Sequence, residues 1–179
     1  GLSEGLIPRL ACPRAVHLLL EFSMECESLA RAEAISAVRA LGEPPEITSE
    51  DEGVMVVSSS VDPLALVSRL ALCHHVSEWK VSCAHSELKA QAHSVEVPGP
   101  IRVRSTKVGE RRIDLSEASR TVGGVVGGAK GVDLHEPASE VRVVFSNRVH
   151  IGRLLGSVDR TSFEKRKNRY MPFVYPASI

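Results

Sequence analysis

Residues 140–155 read Glu140-Val-Arg-Val-Val-Phe-Ser-Asn-Arg-Val-His-Ile-Gly-Arg-Leu-Leu155, the most regular strand pattern in the chain. Apolar side chains recur at every second position from Val141 to Phe145, as they do on one face of a strand. The two-residue turn Asn147-Arg148 follows, and an apolar run returns over residues 149–155. The pattern predicts an antiparallel hairpin.

Upstream of this hairpin, residues 101–106 alternate in the same way and predict a strand that shows Arg102 and Arg104 on one face. Asp114 and Glu117 resemble a capping box, and apolar residues then recur at helical spacing to Ala129. The helix contains four glycines within residues 123–128, each of which costs about 1 kcal/mol relative to Ala. We expect a close approach to this backbone, either by a neighbouring element or by a ligand phosphate.

The first half of the chain carries a β-α-β-β-α-β pattern. Residues 16–23 are an apolar strand, and a helix follows to Leu41, with Gly42 as its cap. Residues 47–48 and 54–58 predict two strands around the acidic turn 49–53. This order is the ferredoxin-like arrangement.

Two details of that pattern are specific enough to test. Asp62-Pro63 should open the second helix, because Asp accepts free first-turn N–H groups and Pro loses no bond there. The apolar faces should include Leu29 in the first helix and Leu64 in the second. Residues 76–81 predict the fourth strand, with Trp79 pointing inward.

Residues 84–99 contain only a short helical signal before Pro98-Gly-Pro100, and we interpret them as a linker. The fold class expected is therefore α+β or α/β, with two small units. The expected division is an N-terminal extension (1–15), a ferredoxin-like domain (16–83), an α/β domain with its entry linker (84–158) and a linker onward (159–179).

The charge of the chain is divided between its halves. The formal net charge is zero, but residues 1–99 hold 7 Lys and Arg against 14 Asp and Glu, and residues 100–179 hold 15 against 8. Because binding depends on the local field, this split indicates a polyanion-binding second half, with solvated charged faces as the alternative.

Four cysteines lie far apart without a C-x-x-C pair, and no secretory signal or long apolar run is evident. Reduced thiols and a cytoplasmic location without membrane contact are expected. The chain starts at Gly1 and stops at Ile179 without closing an element, so we expect an excised fragment of a longer protein.

Other chemistries have weaker signals. Cys73-His74-His75 with Cys83 and His85 lacks a second chelating pair, so no metal is expected. The glycines of 123–128 lie in a helix pattern without the preceding strand and following acid of a cofactor loop. No local motif marks a nucleophile, so no catalytic residue is assigned.

Basic residues of the second half are the candidate RNA-binding set. Tyr170 and Phe173 could stack on unpaired bases, and the absence of a basic amphipathic helix favours RNA over duplex DNA. The set is Arg102, Arg104, Lys107, Arg111, Arg112, Arg120, Lys130, Arg153, Arg160, Lys165, Arg166, Lys167 and Arg169.

Several short motifs, in this order, resemble the THUMP domain of RNA-modifying enzymes over about residues 86–158. They are Lys107-Val-Gly-Glu-Arg111, the Gly-rich helix, Lys130-Gly-Val-Asp-Leu134, Glu140-Val-Arg-Val143 and Ile151-Gly-Arg-Leu-Leu-Gly156. The preceding residues 16–83 are similar to the ferredoxin-like domain that comes before THUMP in that superfamily.

The tail resembles the linker into the catalytic domain of tRNA guanine-N2 methyltransferases, through Val158-Asp-Arg160, Phe163-Glu-Lys-Arg166 and Pro172-Phe-Val-Tyr-Pro-Ala-Ser178. The step Lys167-Asn-Arg169-Tyr170-Met171 departs from the shorter Arg/Pro-rich step of the family. The resemblance implies a non-catalytic region that holds the acceptor stem and 3′ end of tRNA. S-adenosylmethionine and its catalytic domain in cis would belong to the rest of the protein.

Three alternatives stay open at this stage. The first is the THUMP region of another tRNA-modifying enzyme, a thiouridine synthetase, pseudouridine synthase or deaminase. A stand-alone THUMP adaptor that supports a separate enzyme is the second alternative, and a small-molecule-binding regulatory domain of ferredoxin-like fold is the third.

Overall fold

The computed structural model describes residues 14–159 and 161. Its strands form one seven-stranded sheet in the order β2-β3-β1-β4-β7-β6-β5. The class is mixed α/β, as the sequence predicts.

The first half supplies four strands and two helices. In chain order they are β1 (Val16–Phe22), α1 (Glu27–Leu41), β2 (Glu46–Asp51), β3 (Val54–Ser59), α2 (Pro63–Arg69) and β4 (Cys73–Cys83). Neighbouring strands in the order β2-β3-β1-β4 are all antiparallel, which confirms the predicted β-α-β-β-α-β pattern. The Asp62 carboxylate accepts a hydrogen bond from Ala65 N at 3.0 Å, the cap that the sequence predicts.

The second half contributes α3 (Leu88–Ala92), β5 (Ile101–Lys107), α4 (Leu115–Gly127), β6 (Ser139–Phe145) and β7 (Val149–Ser157). β5 and β6 are parallel and α4 connects them, while β6 and β7 form the predicted antiparallel hairpin. Three residues rather than two separate the hairpin strands, because the paired register ends at Phe145 and Val149. Asp114 caps α4 by accepting from Glu117 N at 2.9 Å.

β4 and β7 join the two halves along an antiparallel ladder that runs from His75 opposite Ser157 to Cys83 opposite Val149. The ladder contains two register shifts. Gly152 lies at its centre, and a Cβ there would come within 2.8 Å of the Ser77 Cβ and 2.9 Å of the Glu78 carbonyl oxygen. Only glycine therefore fits this point of the junction without a shift in β4.

Two apolar clusters lie between the sheet and the helices. One includes Leu18, Leu20, Ala34, Val38 and Leu66, and packs α1 and α2 on the first half. The other packs α3 and α4 on the second half and includes Val141, Val143, Ile151, Ala118 and Val122. Side chains alternate along a strand, so Leu19 and Val144 point to the opposite face, where they form a third cluster.

The sheet curves toward the face that carries the third cluster, since side chains from strands that are not neighbours meet there. The Arg142 guanidinium on β6 donates to both carboxylate oxygens of Glu21 on β1, at 2.7 and 3.0 Å. β4 and β7 lie between these strands in the sheet. Both side chains are less than a tenth exposed, so the ion pair is an internal link between the halves.

Some local predictions are wrong. Leu29 and Leu64 are 57% and 65% exposed, while Ala30 and Leu66 are fully buried in their place. Ala34, Val38 and Leu70, which belong to the same predicted faces, are buried, so each predicted face is correct in part. The expected acidic turn over 49–53 is mostly strand, and only Glu52 and Gly53 separate β2 from β3.

The segment expected to be a linker, residues 84–99, is packed into the second half. It contains α3, and Leu88, Ala92, Val95 and Val97 are buried in the same cluster as α4. Leu88, Ala92 and Val95 recur at four- and three-residue spacing, a core-facing pattern that the short length of the helix concealed.

Candidate nucleic-acid interface

The predicted basic residues divide into two groups according to their partners. Arg102 donates to the Glu140 carboxylate and to the Leu134 carbonyl oxygen. Arg111 lies 3.1 Å from the Glu52 carboxylate, and Arg153 Nε lies 3.1 Å from that of Glu78. These three charges are compensated within the fold.

Five other members of the predicted set lie on β5, on α4 or in the adjoining loops, without a carboxylate partner among the described residues. Lys107 donates to the Arg111 carbonyl oxygen and Lys130 to that of Val97, both at 2.8 Å. The five exposed cations are Arg104, Lys107, Arg112, Arg120 and Lys130. They place charge without a carboxylate partner along the outer strand β5 and on the helix that packs against it.

Arg104 and Arg120 border one shallow depression of about 340 Å³ between β5 and α4. Its floor and walls come from Val103, Ser105, Leu115, Ser116 and Ser119. Within residues 14–159, no Asp, Glu, Asn, Gln or aromatic residue belongs to this lining. Val103 and Ser105 face α4, so the Arg104 side chain leaves β5 on the opposite face. The polar donors shown at the depression are therefore the Arg120 guanidinium and the serine hydroxyls.

Two hydroxyls of the depression are hydrogen-bonded to each other. Ser119 Oγ donates to Ser105 Oγ at 2.7 Å, which leaves the Ser105 hydroxyl proton free to donate outward. The sequence-based set missed these serines. Their signal was present, since Ser116 and Ser119 are three residues apart on the helix beside Arg120.

A second cleft, of about 510 Å³, brings Arg102 and Arg153 together with His135, Glu136 and Glu140. Its cations are held by Glu140 and Glu78 and its rim adds the Glu136 carboxylate. The formal charge of this cleft is therefore close to zero. The depression between β5 and α4, by contrast, has no carboxylate among the described residues of its lining.

Two arginines outside the predicted set have structural partners. Arg142 is the buried partner of Glu21, and Arg148 is exposed at the β6–β7 turn, where it donates to the Ser82 carbonyl oxygen at 3.1 Å. Apolar residues on both faces of β6, at Val143 and Val144, were a signal that Arg142 would be covered.

Arg111 fixes the loop between β5 and α4 to the rest of the fold. Its guanidinium contacts the Glu52 carboxylate from the first half, the Asn147 side-chain oxygen at 2.9 Å and the Val108 carbonyl oxygen. Lys107 and Arg112, on either side of this anchor, are exposed. Arg111 is thus a positioning residue for the neighbouring free cations.

Close to this anchor, a chain of polar side chains ties the β2–β3 turn to β7. His150 Nε2 lies 2.9 Å from Asp51 Oδ2, and His150 Nδ1 lies 2.7 Å from Ser82 Oγ, which also accepts from Trp79 Nε1. Burial by itself raises the pKa of Asp51. Hydrogen bonds from His150, Arg148 N, Glu52 N and Asn147 outweigh burial and hold that pKa well below its usual range.

This Asp-His-Ser chain has the connectivity of a hydrolase triad, but its environment differs. His150 is only 1% exposed, and neither Ser82 nor His150 lines the depression between β5 and α4 or the cleft at Arg102 and Arg153. A nucleophile needs room for a substrate carbonyl beside it. The chain therefore serves as a structural tie.

The residues considered for a metal site are used otherwise. Cys73 Sγ donates to the Glu21 carbonyl oxygen, and burial raises the pKa of its thiol to about 12. Burial lowers the pKa of His75, which contacts Ser157 Oγ at 2.9 Å. No three His, Cys, Asp or Glu residues within the described part of the chain are placed to hold a metal ion.

The Gly-rich run does not fit a cofactor loop. Residues 123–127 lie inside α4, and a Cβ at Gly127 would come within 3.2 Å of Val132 and 3.7 Å of Ile101. This close approach by neighbouring side chains is the first of the two explanations that the sequence suggests.

Five predicted cations lie outside the described residues: Arg160, Lys165, Arg166, Lys167 and Arg169. Tyr170 and Phe173 lie outside them as well. Among the helices that are described, none is long and apolar enough to cross a membrane.

Solved structures share this fold. TrmN from Thermus thermophilus superposes with a TM-score of 0.55 at 22% identity, over 79% of this chain and 46% of that one. A possible methylase from Clostridium difficile 630 gives 0.54 at 12% identity, over 79% of this chain and 41% of that one. A predicted N6-adenine-specific DNA methylase from Listeria monocytogenes gives 0.52 at 12% identity, over 79% and 40%.

The chain thus spans less than half of each of these three solved chains. No family model matches it, and no curated protein does. The similarity establishes a fold that occurs in methyltransferase-related proteins.

Proposed function

We propose that this chain is the tRNA-binding region of an S-adenosylmethionine-dependent tRNA guanine-N2 methyltransferase, formed by a ferredoxin-like unit and a THUMP domain. It holds the acceptor stem and 3′ end of tRNA. The observation that carries the proposal is the group of five exposed cations on β5, α4 and the adjoining loops, which lack carboxylate partners among residues 14–159.

The charge of this group suits a polyanion. Phosphate contacts supply most of the affinity of nucleic-acid-binding proteins, and they come mainly from Arg, Lys and hydroxyl side chains. All three donor types occur within β5 and α4. The first half, by contrast, is acidic overall, so RNA is expected on the β5 side of the molecule.

The methyl transfer itself is assigned to a catalytic domain in cis. That assignment is supported by the fold shared with TrmN, a possible methylase and a predicted DNA methylase, whose chains are more than twice as long as the matched part. The region described here binds and positions RNA, and no step of the chemistry is assigned to its residues.

Binding to intact tRNA and to tRNA trimmed of its single-stranded 3′ end, measured over a salt series, tests this function. We expect tighter binding of the intact tRNA and a steep loss of affinity with salt. Equal binding of both forms without salt dependence, or no binding, would contradict the proposal.

A further inference from the structure

We infer that the outer edge of β5 binds an extended acidic segment of a second protein, which adds to the seven-stranded sheet as a further strand. The backbone of this segment pairs with Val103 and Ser105, and one of its acidic side chains lies beside Arg104. The inference goes beyond the proposed function and does not depend on RNA binding.

The direction of the backbone groups along β5 follows from the bonds at its two ends. The carbonyl oxygen of Pro100, just before the strand, accepts from Ala138 N at 2.7 Å. Val108 N, just after the strand, donates to the Phe145 carbonyl oxygen at 2.8 Å. Even-numbered residues therefore direct their backbone groups toward β6. Because this direction alternates along a strand, odd-numbered residues direct theirs to the outer edge.

At this outer edge, the start of β5 is already paired. Ile101 N donates to the Gly131 carbonyl oxygen, and the Ile101 carbonyl oxygen accepts from Asp133 N. The chain then turns away, because the Asp133 carboxylate accepts from the backbone N–H groups of residues 135 and 136. The outward N–H and C=O groups of Val103 and Ser105 have no partner within residues 14–159.

The two outer strands of the sheet differ in their protection against such pairing. β2 follows Pro44-Pro45 and has a register shift between Ile47 and Ser49. Prolines and bulges of this kind prevent the pairing of an edge strand with another strand. β5, by contrast, pairs with β6 without a register shift, and its sequence contains neither Pro nor Gly. Its edge keeps the regular geometry that strand addition needs.

The charge of β5 indicates the kind of strand that fits. Arg104 is exposed and has no carboxylate partner among the described residues, whereas Arg102 on the same face is bonded to Glu140. Lys107 adds a second exposed cation at the end of the strand. A second β5 would bring like charges together, which discourages pairing between copies. An acidic side chain opposite Arg104 is favourable instead.

The depression between β5 and α4 borders the same edge on the other face of the sheet. It is lined by the side chains of Val103 and Ser105 and by Leu115 and Ser116 of α4. These apolar and hydroxyl groups suit small uncharged side chains. Because side chains alternate along a strand, the added segment should be acidic at every second position and small and uncharged in between.

Other occupants fit this edge less well. The RNA backbone offers phosphate acceptors, but its 2′-hydroxyls are the only donors for the outward carbonyl oxygens, whereas a peptide backbone supplies both donors and acceptors. Within this chain, residues 160–170 hold five Lys and Arg against one Glu, so the cations of β5 repel them. Residues 1–13 contain Pro8 and Pro13 and a single acidic residue.

The probe is a short acetylated peptide that alternates Glu with Thr, added to the unmodified chain without RNA. Amide hydrogen exchange, followed residue by residue by NMR, measures the pairing of the edge. The peptide should slow exchange at Val103 and Ser105 by at least about tenfold, because their N–H groups become hydrogen-bonded. Arg102 and Arg104, whose N–H groups already bond to β6, should change little. Unchanged exchange at Val103 and Ser105 overturns the inference.

Val103→Pro removes one outward N–H group and leaves the bonds to β6 in place, and Pro is tolerated at such an edge position. We expect it to weaken peptide binding by about tenfold, because the peptide carbonyl oxygen is left without its donor. Val103→Ala keeps the N–H group and should cause a clearly smaller loss. Equal losses in the two variants overturn strand addition. Circular dichroism shows whether V103P folds, and the exchange experiment on the unmodified chain needs no variant.

The charge of the partner is tested separately. Arg104→Ala should weaken binding of the Glu peptide by about threefold, as expected for an exposed ion pair. Arg39→Ala is the matched control, since Arg39 is also exposed but lies on α1. A peptide with Lys in place of Glu should bind the unmodified chain more weakly than the Glu peptide. Equal binding of the two peptides overturns the assignment of an acidic partner.

Two other occupants would give different results. If a second copy of the chain occupies the edge, exchange at Val103 and Ser105 is slow without peptide and slows further as the protein concentration rises. If RNA occupies it, tRNA slows exchange at these two amides and the peptide does not. Either result overturns the inference. Failure of the proposed function, by contrast, is an absence of tRNA binding, and it leaves the result of the peptide experiments unchanged.

Discussion

Asp51 ends β2 and accepts hydrogen bonds from three backbone or side-chain groups of the β6–β7 turn and β7, in addition to Glu52 N. Its side chain is 6% exposed. The bonds connect the acidic first half to the second half, near the anchor of the β5–α4 loop at Arg111. Single residues at this contact therefore control how the two halves are held together.

We expect Asp51→Asn to lower the free energy of unfolding by about 2–4 kcal/mol, because several hydrogen bonds to a buried charge are weakened together. Urea denaturation at pH 7 measures this loss. Glu50→Gln is the matched control, since Glu50 is 57% exposed and meets Arg31 only at 3.5 Å. A loss no larger than that of the control would contradict the role assigned to Asp51.

The stability difference between the unmodified chain and D51N should depend on pH. Because the folded-state pKa of Asp51 lies below its unfolded value, its stabilisation is complete above the unfolded pKa of about 3.9. It is lost as pH falls further through the folded pKa. The stability difference between the unmodified chain and D51N should stay constant from pH 7 to pH 5 and shrink below pH 4. A difference that shrinks already between pH 7 and pH 5 would point to another titrating group.

The buried ion pair between Glu21 and Arg142 should also stabilise the fold. Arg142→Met alone should lower the free energy of unfolding by about 3–5 kcal/mol, since it leaves the Glu21 carboxylate buried without its partner. The double variant E21M/R142M should recover most of this loss, because two apolar side chains replace the pair. A double-mutant cycle in urea measures the coupling, and simple additivity would show that the pair is not coupled.

At the scale of elements, the junction of β4 and β7 leaves no room for a side chain at Gly152. Gly152→Ala should lower the free energy of unfolding by about 1–3 kcal/mol, because the new methyl group meets the β4 backbone. Gly124→Ala is the control, since nothing lies within 4 Å of a Cβ there and Ala is the better helix former by about 1 kcal/mol. Thermal unfolding should thus move in opposite directions for the two variants, and a stabilising Gly152→Ala would contradict the geometry of the junction.

Most elements could be predicted from the sequence, because local patterns determine them. Asp62-Pro63 and Asp114 mark the starts of α2 and α4, and alternation marks β6. The pairing of β4 with β7 could not be predicted in this way, since these strands are about 70 residues apart and no local period encodes their contact. The curvature that brings Glu21 to Arg142 depends on the same pairing.

The candidate site was predictable only as a set of charges. The sequence shows that Arg102 and Arg104 share a strand face, but it does not show that Glu140 compensates Arg102 and leaves Arg104 free. The pairing of the Arg102 charge with the Glu140 carboxylate depends on the parallel register of β5 and β6, which sets these two residues opposite each other. The serines of the depression, likewise, become part of a site only when α4 packs on β5.

At the scale of the whole molecule, exposed acidic and basic residues lie on the two different outer strands of one sheet. β2 is one outer strand and carries the exposed Glu46 and Glu50, while β5 is the other and carries the exposed Arg104 and Lys107. Repulsion from the first edge and attraction to the second both orient a polyanion toward β5 and α4. The division of net charge between the halves of the sequence thus becomes a spatial division.

Hydrogen exchange of the backbone amides, followed by mass spectrometry with and without tRNA at low salt, tests the central claim most directly. We predict that tRNA slows exchange in peptides that cover β5 and the first turns of α4, and leaves peptides from β2 and β3 unchanged. Slowed exchange confined to β2, β3, α1 or α2, with none in β5 and α4, would contradict this account of where the RNA binds.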